Sequence, residues 1–207
     1  MATLLNITSS LFSDQGQSSQ LAKQFIQQWR EANKDGRVVH RDLNANPLPH
    51  LTAERFQAFS TKVQDRTDAQ HHHVAVSDAL IEELKQADTV VIGMPMYNFG
   101  IPSTLKAWID HVGRAGVTFK YTDKGPVGLV DDKKVVIFAT RGGRYLGTAQ
   151  DSQSPYIKTF LNFIGLHDIE IVYAEGLASS GEQQQQTIAD AAQRGQSILN
   201  ALETAAA

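Results

Sequence analysis

Apolar residues fall along the chain in two alternating rhythms. Five short runs rich in β-branched residues, Thr3 to Ile7, Arg37 to Arg41, Thr89 to Met94, Lys134 to Thr140 and Ile169 to Ala174, read as strands. Thr89 to Ile92 is nearly all apolar, which fits a parallel strand covered on both faces better than an alternating, half-wet one. Between the runs the period lengthens to that of a helix. Ser18 to Asn33 carries Leu21, Phe25, Ile26 and Trp29 at helical spacing, and Ser77 to Ala87 carries Leu80, Ile81 and Leu84. Pro102 to Arg114 and Ser154 to Gly165 each open on a residue suited to a helix start, and Gly165 suits a stop. After the glutamines at 183 to 186, the residues Ile188, Ala192, Ile198, Leu199 and Leu202 predict a closing helix, frayed at the final alanines.

Strands alternating with helices predict an α/β fold: a doubly wound, five-stranded parallel sheet in the order 2-1-3-4-5, with helices on both faces. Two stretches break the alternation. Asn44 to Gln70, with Pro47, Pro49, Phe56 and Phe59 among polar residues, predicts a long connection with a short helix. Gly113 to Gly128, where Val117, Phe119 and Tyr121 alternate with polar residues before Asp123-Lys124-Gly125-Pro126, predicts a small hairpin-like excursion.

Composition narrows the chemistry. The 207 residues, 42% hydrophobic, suit a single domain spanning 1–207. A net charge of -3 gives no general attraction to nucleic acid or to an anionic membrane surface. There is no cysteine, so disulfides, thiolate metal sites and cysteine nucleophiles are excluded, and any redox chemistry must come from a bound cofactor. Met1 to Ser10 has no basic leader before its apolar stretch, and no segment approaches the ~18 apolar residues of a membrane span, so a cytoplasmic location is expected.

Three strand ends carry candidate chemistry. The first strand runs into Ser9-Ser10, a polar loop, and Gln17-Ser18-Ser19 at a helix start, where free backbone N–H groups and roughly half a positive charge suit an anion. Ser10, Gln17 and Ser18 are the candidates. Neither dinucleotide nor Gly-Lys-Ser/Thr spacing is present, which favours a monophosphate, and Ser18 could equally be an ordinary helix cap. The third strand ends in Pro95-Met96-Tyr97-Asn98-Phe99-Gly100, which places two flat rings and an amide at the carboxyl edge where ligands lie in open α/β sheets. The fourth ends in Thr140-Arg141-Gly142-Gly143, whose backbone N–H groups could face a negatively charged ring edge. His71-His72-His73 points in three directions around a helix and is not read as a metal site. Asp110 and His111, adjacent on a helix, do not face one another, and a solvated or capping role is expected for them.

Taken in order, Ser9-Ser10 with Gln17-Ser18, Pro95-Met96-Tyr97-Asn98-Phe99, Gly113-Arg-Ala-Gly-Val-Thr-Phe-Lys-Tyr121, Arg141-Gly142-Gly143 and Phe163-Ile164-Gly165 resemble the FMN-dependent NADH azoreductases of bacteria, relatives of the NAD(P)H quinone reductases. The resemblance runs from about residue 3 to residue 180. It implies a flavodoxin-like homodimer with one FMN per subunit, at two active sites built across the interface. By that analogy Ser10, Gly16, Gln17 and Ser18 bind the FMN phosphate, Met96, Tyr97, Asn98 and Phe99 line the isoalloxazine, and Thr140, Arg141, Gly142 and Gly143 meet its pyrimidine edge. Phe119, Tyr121 and Phe163 shape a substrate pocket from across the dimer. No side chain is implied as catalytic, since the flavin carries the chemistry, and the proton is expected from water. The activity implied is hydride transfer from NADH or NADPH, then reduction of quinones to hydroquinones and of azo compounds to amines, in ping-pong order. Arg114, Lys120 and Arg144 are conceivable partners for a 2′-phosphate. Two other readings stay open: a flavodoxin-type electron carrier without NAD(P)H oxidase activity, which the weak acidic excess disfavours, and a flavin-free interaction protein on the same fold.

Overall fold

A computed structural model describes residues 1–206. In chain order the elements are β1 (Thr3–Thr8), α1 (Gln17–Ala32), β2 (Arg37–Asp42), α2 (Ala53–Ser60), α3 (Asp68–Gln86), β3 (Thr89–Pro95), α4 (Ser103–Val112), β4 (Phe119–Thr122), β5 (Gly125–Gly128), β6 (Lys134–Thr140), α5 (Gln153–Ile164), β7 (Ile169–Ala174) and α6 (Glu182–Ala206). The five expected strands pair in parallel in the order β2-β1-β3-β6-β7, the predicted 2-1-3-4-5, while β4 and β5 form a separate antiparallel pair. The fraying expected at the final alanines reaches Ala207, which lies outside the described residues.

Alternation along the central strands divides the core. Val90, Ile92 and Met94 of β3, with Val135 and Ile137 of β6, face the layer built from α3, α4 and α5, while Val91, Val136 and Phe138 face α1 and α6. Both faces of β3 and almost all of β6 are buried, as parallel strands between two helical layers require. Side chains of this kind contribute about 1.5–3 kcal/mol each when fully buried, so the two layers fix the sheet far more firmly than helix propensity does.

The long connection holds the short helix α2, as expected, but α3 begins at Asp68, well before Ser77. Its first turns lack a buried stripe, so apolar rhythm could not reveal them. They form because Thr67 and Gln70 make a capping box: the Thr67 hydroxyl accepts from Gln70 N and the Gln70 side chain accepts from Thr67 N. The histidine triplet sits in these turns, with His73 3.5 Å from Glu54 of α2. The far end of α3 lacks a glycine stop. Lys133 Nζ closes it instead, donating to the carbonyls of Leu84, Lys85 and Ala87.

His111 is neither solvated nor a cap. It is buried in α4, and its Nε2 lies 3.0 Å from the carbonyl of Pro49, which can only accept, so Nε2 carries the proton. The ring ties the long connection to α4. The excursion after α4 is a hairpin with Asp123-Lys124 at its tip, pinned where β5 meets the end of α5. There a Cβ on Gly128 would lie 2.2 Å from Gly165 N, and Gly165 itself takes the left-handed conformation that ends α5. Among the described residues no helix is long and apolar enough to cross a membrane.

Burial lowers the pKa of His111 from its ordinary 6.5, and the bond to Pro49 only partly offsets that. The folded state therefore binds fewer protons than the unfolded state between the depressed value and about pH 6.5, and the stability contributed by the neutral ring is present above that pH and lost as pH falls through the depressed value. Urea unfolding at pH 7.5 and 5.5 should show a larger acid-induced loss of stability for wild type than for His111→Gln.

Candidate functional site

Because β1, β3 and β6 are parallel neighbours, the loops that follow them leave the sheet at one edge, and hydrogen bonds join the loops to one another. Ser9 Oγ donates to Gly93 O at 2.8 Å, Leu11 N donates to the Tyr97 hydroxyl at 3.2 Å, and Met96 N donates to Thr140 O at 2.9 Å. The Phe99 ring meets the Tyr145 ring edge-on, 5.5 Å between centroids. The three candidate segments thus wall one crevice.

The first wall is the start of α1. The helix begins at Gln17 with Gly16 as its N-cap, so Ser18 is not the cap, and no side chain closes the turn. Among the described residues, the hydroxyls of Ser18 and Ser19 are buried and have no partner. An unpaired buried hydroxyl costs about 1–3 kcal/mol, and that of Ser18, beside the free N–H groups of the first turn, is available to a ligand, whereas Ser19 lines a cavity between α1 and β2. Ser10 Oγ accepts from Phe12 N at 3.2 Å and keeps its proton free to donate. Two glycines permit the geometry. A Cβ on Gly93 would come within 3.3 Å of the Ser18 backbone, so α1 can start directly over β3, and a Cβ on Gly16 would lie 2.1 Å from Ser10 Oγ.

The second wall is a tight turn in which Tyr97 and Gly100 exchange both backbone hydrogen bonds. Asn98 and Phe99 between them have φ of 49° and 63°. Asparagine tolerates the left-handed region, whereas for phenylalanine it is strained, on the order of 1 kcal/mol or more. Gly100 is not left-handed, and a Cβ there would touch only Tyr97 O at 3.8 Å, so the path of the chain does not itself require glycine at that position. The conformational demand falls on Asn98 and Phe99, and the Phe99 ring is held half-exposed at the mouth.

The third wall is the turn after β6. Carbonyls of Arg141, Gly142 and Gly143 accept from Leu177, Ala178 and Gly176, while the Gly142 and Gly143 N–H groups have no backbone acceptor among the described residues. Arg141 is set apart from the other candidates. Its backbone N–H goes to Ala174 O, and its fully buried guanidinium goes to Gln153, Glu175, Asp151 and Ser154 with the Tyr173 ring 4.9 Å away. Its charge serves the scaffold. Burial alone would raise the Asp151 carboxyl, but the Ser154 N–H and the guanidinium outweigh it and hold that group below the ordinary carboxylate range. Glu175 Oε1 also accepts from the N–H groups of Tyr145 and Leu146, fixing the loop beyond the glycines. Neither acid stood out in the sequence, since each is a lone carboxylate far from Arg141 along the chain.

Phe119, Tyr121 and Phe163 cluster, with ring centroids 4.2 Å apart for Phe119 and Phe163 and 5.5 Å for Phe119 and Tyr121. Phe119 is buried, and Tyr121 is 74% exposed. The cluster does not join the crevice formed by the same chain's loops. Gln153 touches that crevice from the start of α5, and Phe163 follows ten residues later on the same helix, about 15 Å along its axis. Of the three cations considered for a 2′-phosphate, Arg114 is withdrawn: it is buried, paired with Asp78 and Ser77, and stacked 5.0 Å from the Phe59 ring. A cavity of about 790 Å³ lies elsewhere, between α1 and β2, lined by Asn6, Ser19, Lys23 and His40 among others.

A family model described as flavodoxin-like fold matches residues 2–199. The chain belongs to the flavodoxin-like fold family. Among similar proteins of this flavodoxin-like kind, the FMN-dependent NADH:quinone oxidoreductase of Cellvibrio japonicus is 56% identical over 177 residues, covering 86% of this chain and 89% of its own length. The protein of the same name from Alcanivorax borkumensis is 49% identical over 186 residues, covering 90% and 94%. An azoreductase from Bacillus anthracis superposes with a TM-score of 0.88 at 30% identity, over 97% of this chain and 99% of its own. An FMN-dependent NADH-azoreductase from the same species, solved in complex with FMN, gives 0.88 at 25% identity, over 98% and 100%.

Removing the Ser18 hydroxyl separates ligand binding from stability. Ser18→Ala deletes an unpaired buried group, so the melting temperature of the ligand-free protein should stay level or rise, while affinity for FMN, used as a phosphate-bearing probe and read by quenching of its fluorescence, should fall about tenfold.

Proposed function

We propose that this protein is an FMN-dependent NADH:quinone oxidoreductase that also reduces azo compounds, its residues 1–207 forming one FMN-binding domain. One observation carries the reading. Three loops tied together at the carboxyl edge of the sheet present unpaired hydroxyls and free amides on one side and two aromatic rings on another, in a chain whose relatives carry that activity in their names.

The residues suit the cofactor. The N–H groups of Gln17 to Ser19, backed by the helix dipole, with the hydroxyls of Ser10 and Ser18, would hold the phosphate dianion, and Gly16 leaves room for the loop that bears them. Met96, Tyr97, Asn98 and Phe99 would line the flat ring system and exclude water from it. The Gly142 and Gly143 amides would face the pyrimidine edge, where negative charge collects on reduction. Bound FMN supplies a two-electron centre that accepts a hydride from NADH and returns it to an acceptor. A quinone takes that hydride together with a proton from water, and an azo bond takes two such additions, through a hydrazine to two amines. The proposed order is ping-pong, with the nicotinamide leaving before the acceptor enters.

We also take the active form to be a homodimer in the cytoplasm. The distance of Phe163 from its own crevice supports the dimer, in which the aromatic cluster would face the crevice of a second copy. There its rings would stack on flat acceptors of many shapes.

An anaerobic visible spectrum tests the reading in one cuvette. FMN-incubated, desalted protein should keep its flavin band, lose it on adding NADH and regain it with benzoquinone. A band that ignores both NADH and NADPH would favour the electron-carrier reading, and no retained band would favour a flavin-free protein. In the same assay Phe163→Ala should keep its flavin and its rate of bleaching by NADH, while KM for a quinone rises several-fold.

A further inference from the structure

Gln153 opens α5 in full burial, 1% exposed, and uses both ends of its amide. Its Oε1 accepts from Arg141 Nε at 3.2 Å, and its Nε2 donates to Pro95 O at 2.9 Å and lies 3.5 Å from Gly100 O. These partners settle the orientation of the amide, because a guanidinium only donates and a carbonyl only accepts. The two ends reach different walls of the crevice. Pro95 and Gly100 bracket the turn that carries Asn98 and Phe99 at positive φ, and Arg141 is the second residue of the turn that presents the Gly142 and Gly143 amides.

Arg141 is itself immobilised by Asp151, Glu175 and Ser154, so the side chain that Gln153 leans on cannot drift. A strained turn persists only where its surroundings over-determine it. The Phe99 carbonyl accepts from the Ser152 hydroxyl on the exposed side, and Gln153 holds the same turn from the buried side. Ser152 and Gln153 are neighbours at the start of α5, so that helix clamps the aromatic turn from both sides.

We propose that Gln153, braced by Arg141, is a positioning residue that holds the aromatic turn and the glycine turn at a fixed separation, and thereby sets both the grip on the flavin and its reduction potential. The proposal rests on the flavin reading above. Gln153 touches neither flavin nor substrate and acts through the two turns.

Two variants test it. Gln153→Glu keeps an acceptor for Arg141 but has no donor for Pro95 O. In ligand-free protein, exchange of the Tyr97 and Gly100 amides, which pair across the aromatic turn, should quicken, while that of Gly176, Leu177 and Ala178, whose N–H groups bind the carbonyls of the glycine turn, stays as in wild type. Gln153→Met loses both bonds, and exchange should quicken in both turns. Affinity for FMN should fall in both variants, by about tenfold for Gln153→Met. Loosened glycine amides favour reduced flavin less, so the midpoint potential of FMN-loaded Gln153→Met should drop; a tenfold loss of that preference reads as about 30 mV for a two-electron couple. Gln153→Met leaves the buried guanidinium short of an acceptor, and where that variant does not fold, Gln153→Glu decides. A fall in melting temperature with unchanged turn exchange, FMN affinity and potential would make Gln153 merely structural and overturn the proposal. Wild type failing to retain FMN would instead overturn the flavin reading, and the exchange pattern of ligand-free protein would still judge the clamp.

Discussion

Everything at the crevice depends on β1, β3 and β6 lying side by side and pointing the same way. Parallel pairing forces the chain to cross back through a helix after each strand, so the loops that leave the strands gather at one edge and the returns gather at the other. Two buried faces then lock the strands in register. A slip of one residue in β3 would exchange Val90, Ile92 and Met94 with Val91 and Gly93, setting large side chains against the start of α1 where only hydrogen now fits. The same register that fills the core therefore places the first turn of α1 over β3.

The edge is costly to maintain. A buried hydroxyl goes unpaired at Ser18, and Phe99 sits in a backbone region that disfavours it. A fold selected for stability alone would remove both. They persist because the surroundings are rigid: Tyr97 is bound to the first loop, Met96 to the third, and the aromatic turn to the start of α5. Under the proposed function, strain and unpaired polarity held this firmly would be preorganisation, with the donors aimed before the ligand binds.

Arg141 shows how a charged residue in a binding turn can belong to the scaffold. Burying a guanidinium is tolerable only with close acid partners, and Asp151 and Glu175 meet that need from two different loops. Neutralisation of the charge thereby fastens those loops to the end of β6. Removing the guanidinium would leave two largely buried carboxylates without their cation, at a cost of about 3–5 kcal/mol, so the glycine amides are held by some of the strongest interactions in the molecule.

Much of this was written locally in the chain. The five apolar runs, their alternation with helical stretches and the turn residues at three strand ends are short-range patterns, so the sheet, its order and the segments that meet at its edge were all readable, as was the family resemblance. What could not be read depends on contacts between segments remote in sequence. The early start of α3 comes from a polar capping box with no apolar rhythm to announce it. His111 passes for a surface residue until the fold brings Pro49 across it, and Arg141 passes for a ligand contact until Asp151, Gln153 and Glu175 surround it. That Asn98 and Phe99 turn left-handed was likewise hidden, because only the backbone path reveals it. Sequence determines which segments reach the edge of the sheet, since that follows from periodicity and parallel pairing. Only the tertiary structure decides which of their atoms remain free for a ligand, because a donor is free or engaged according to what packs beside it.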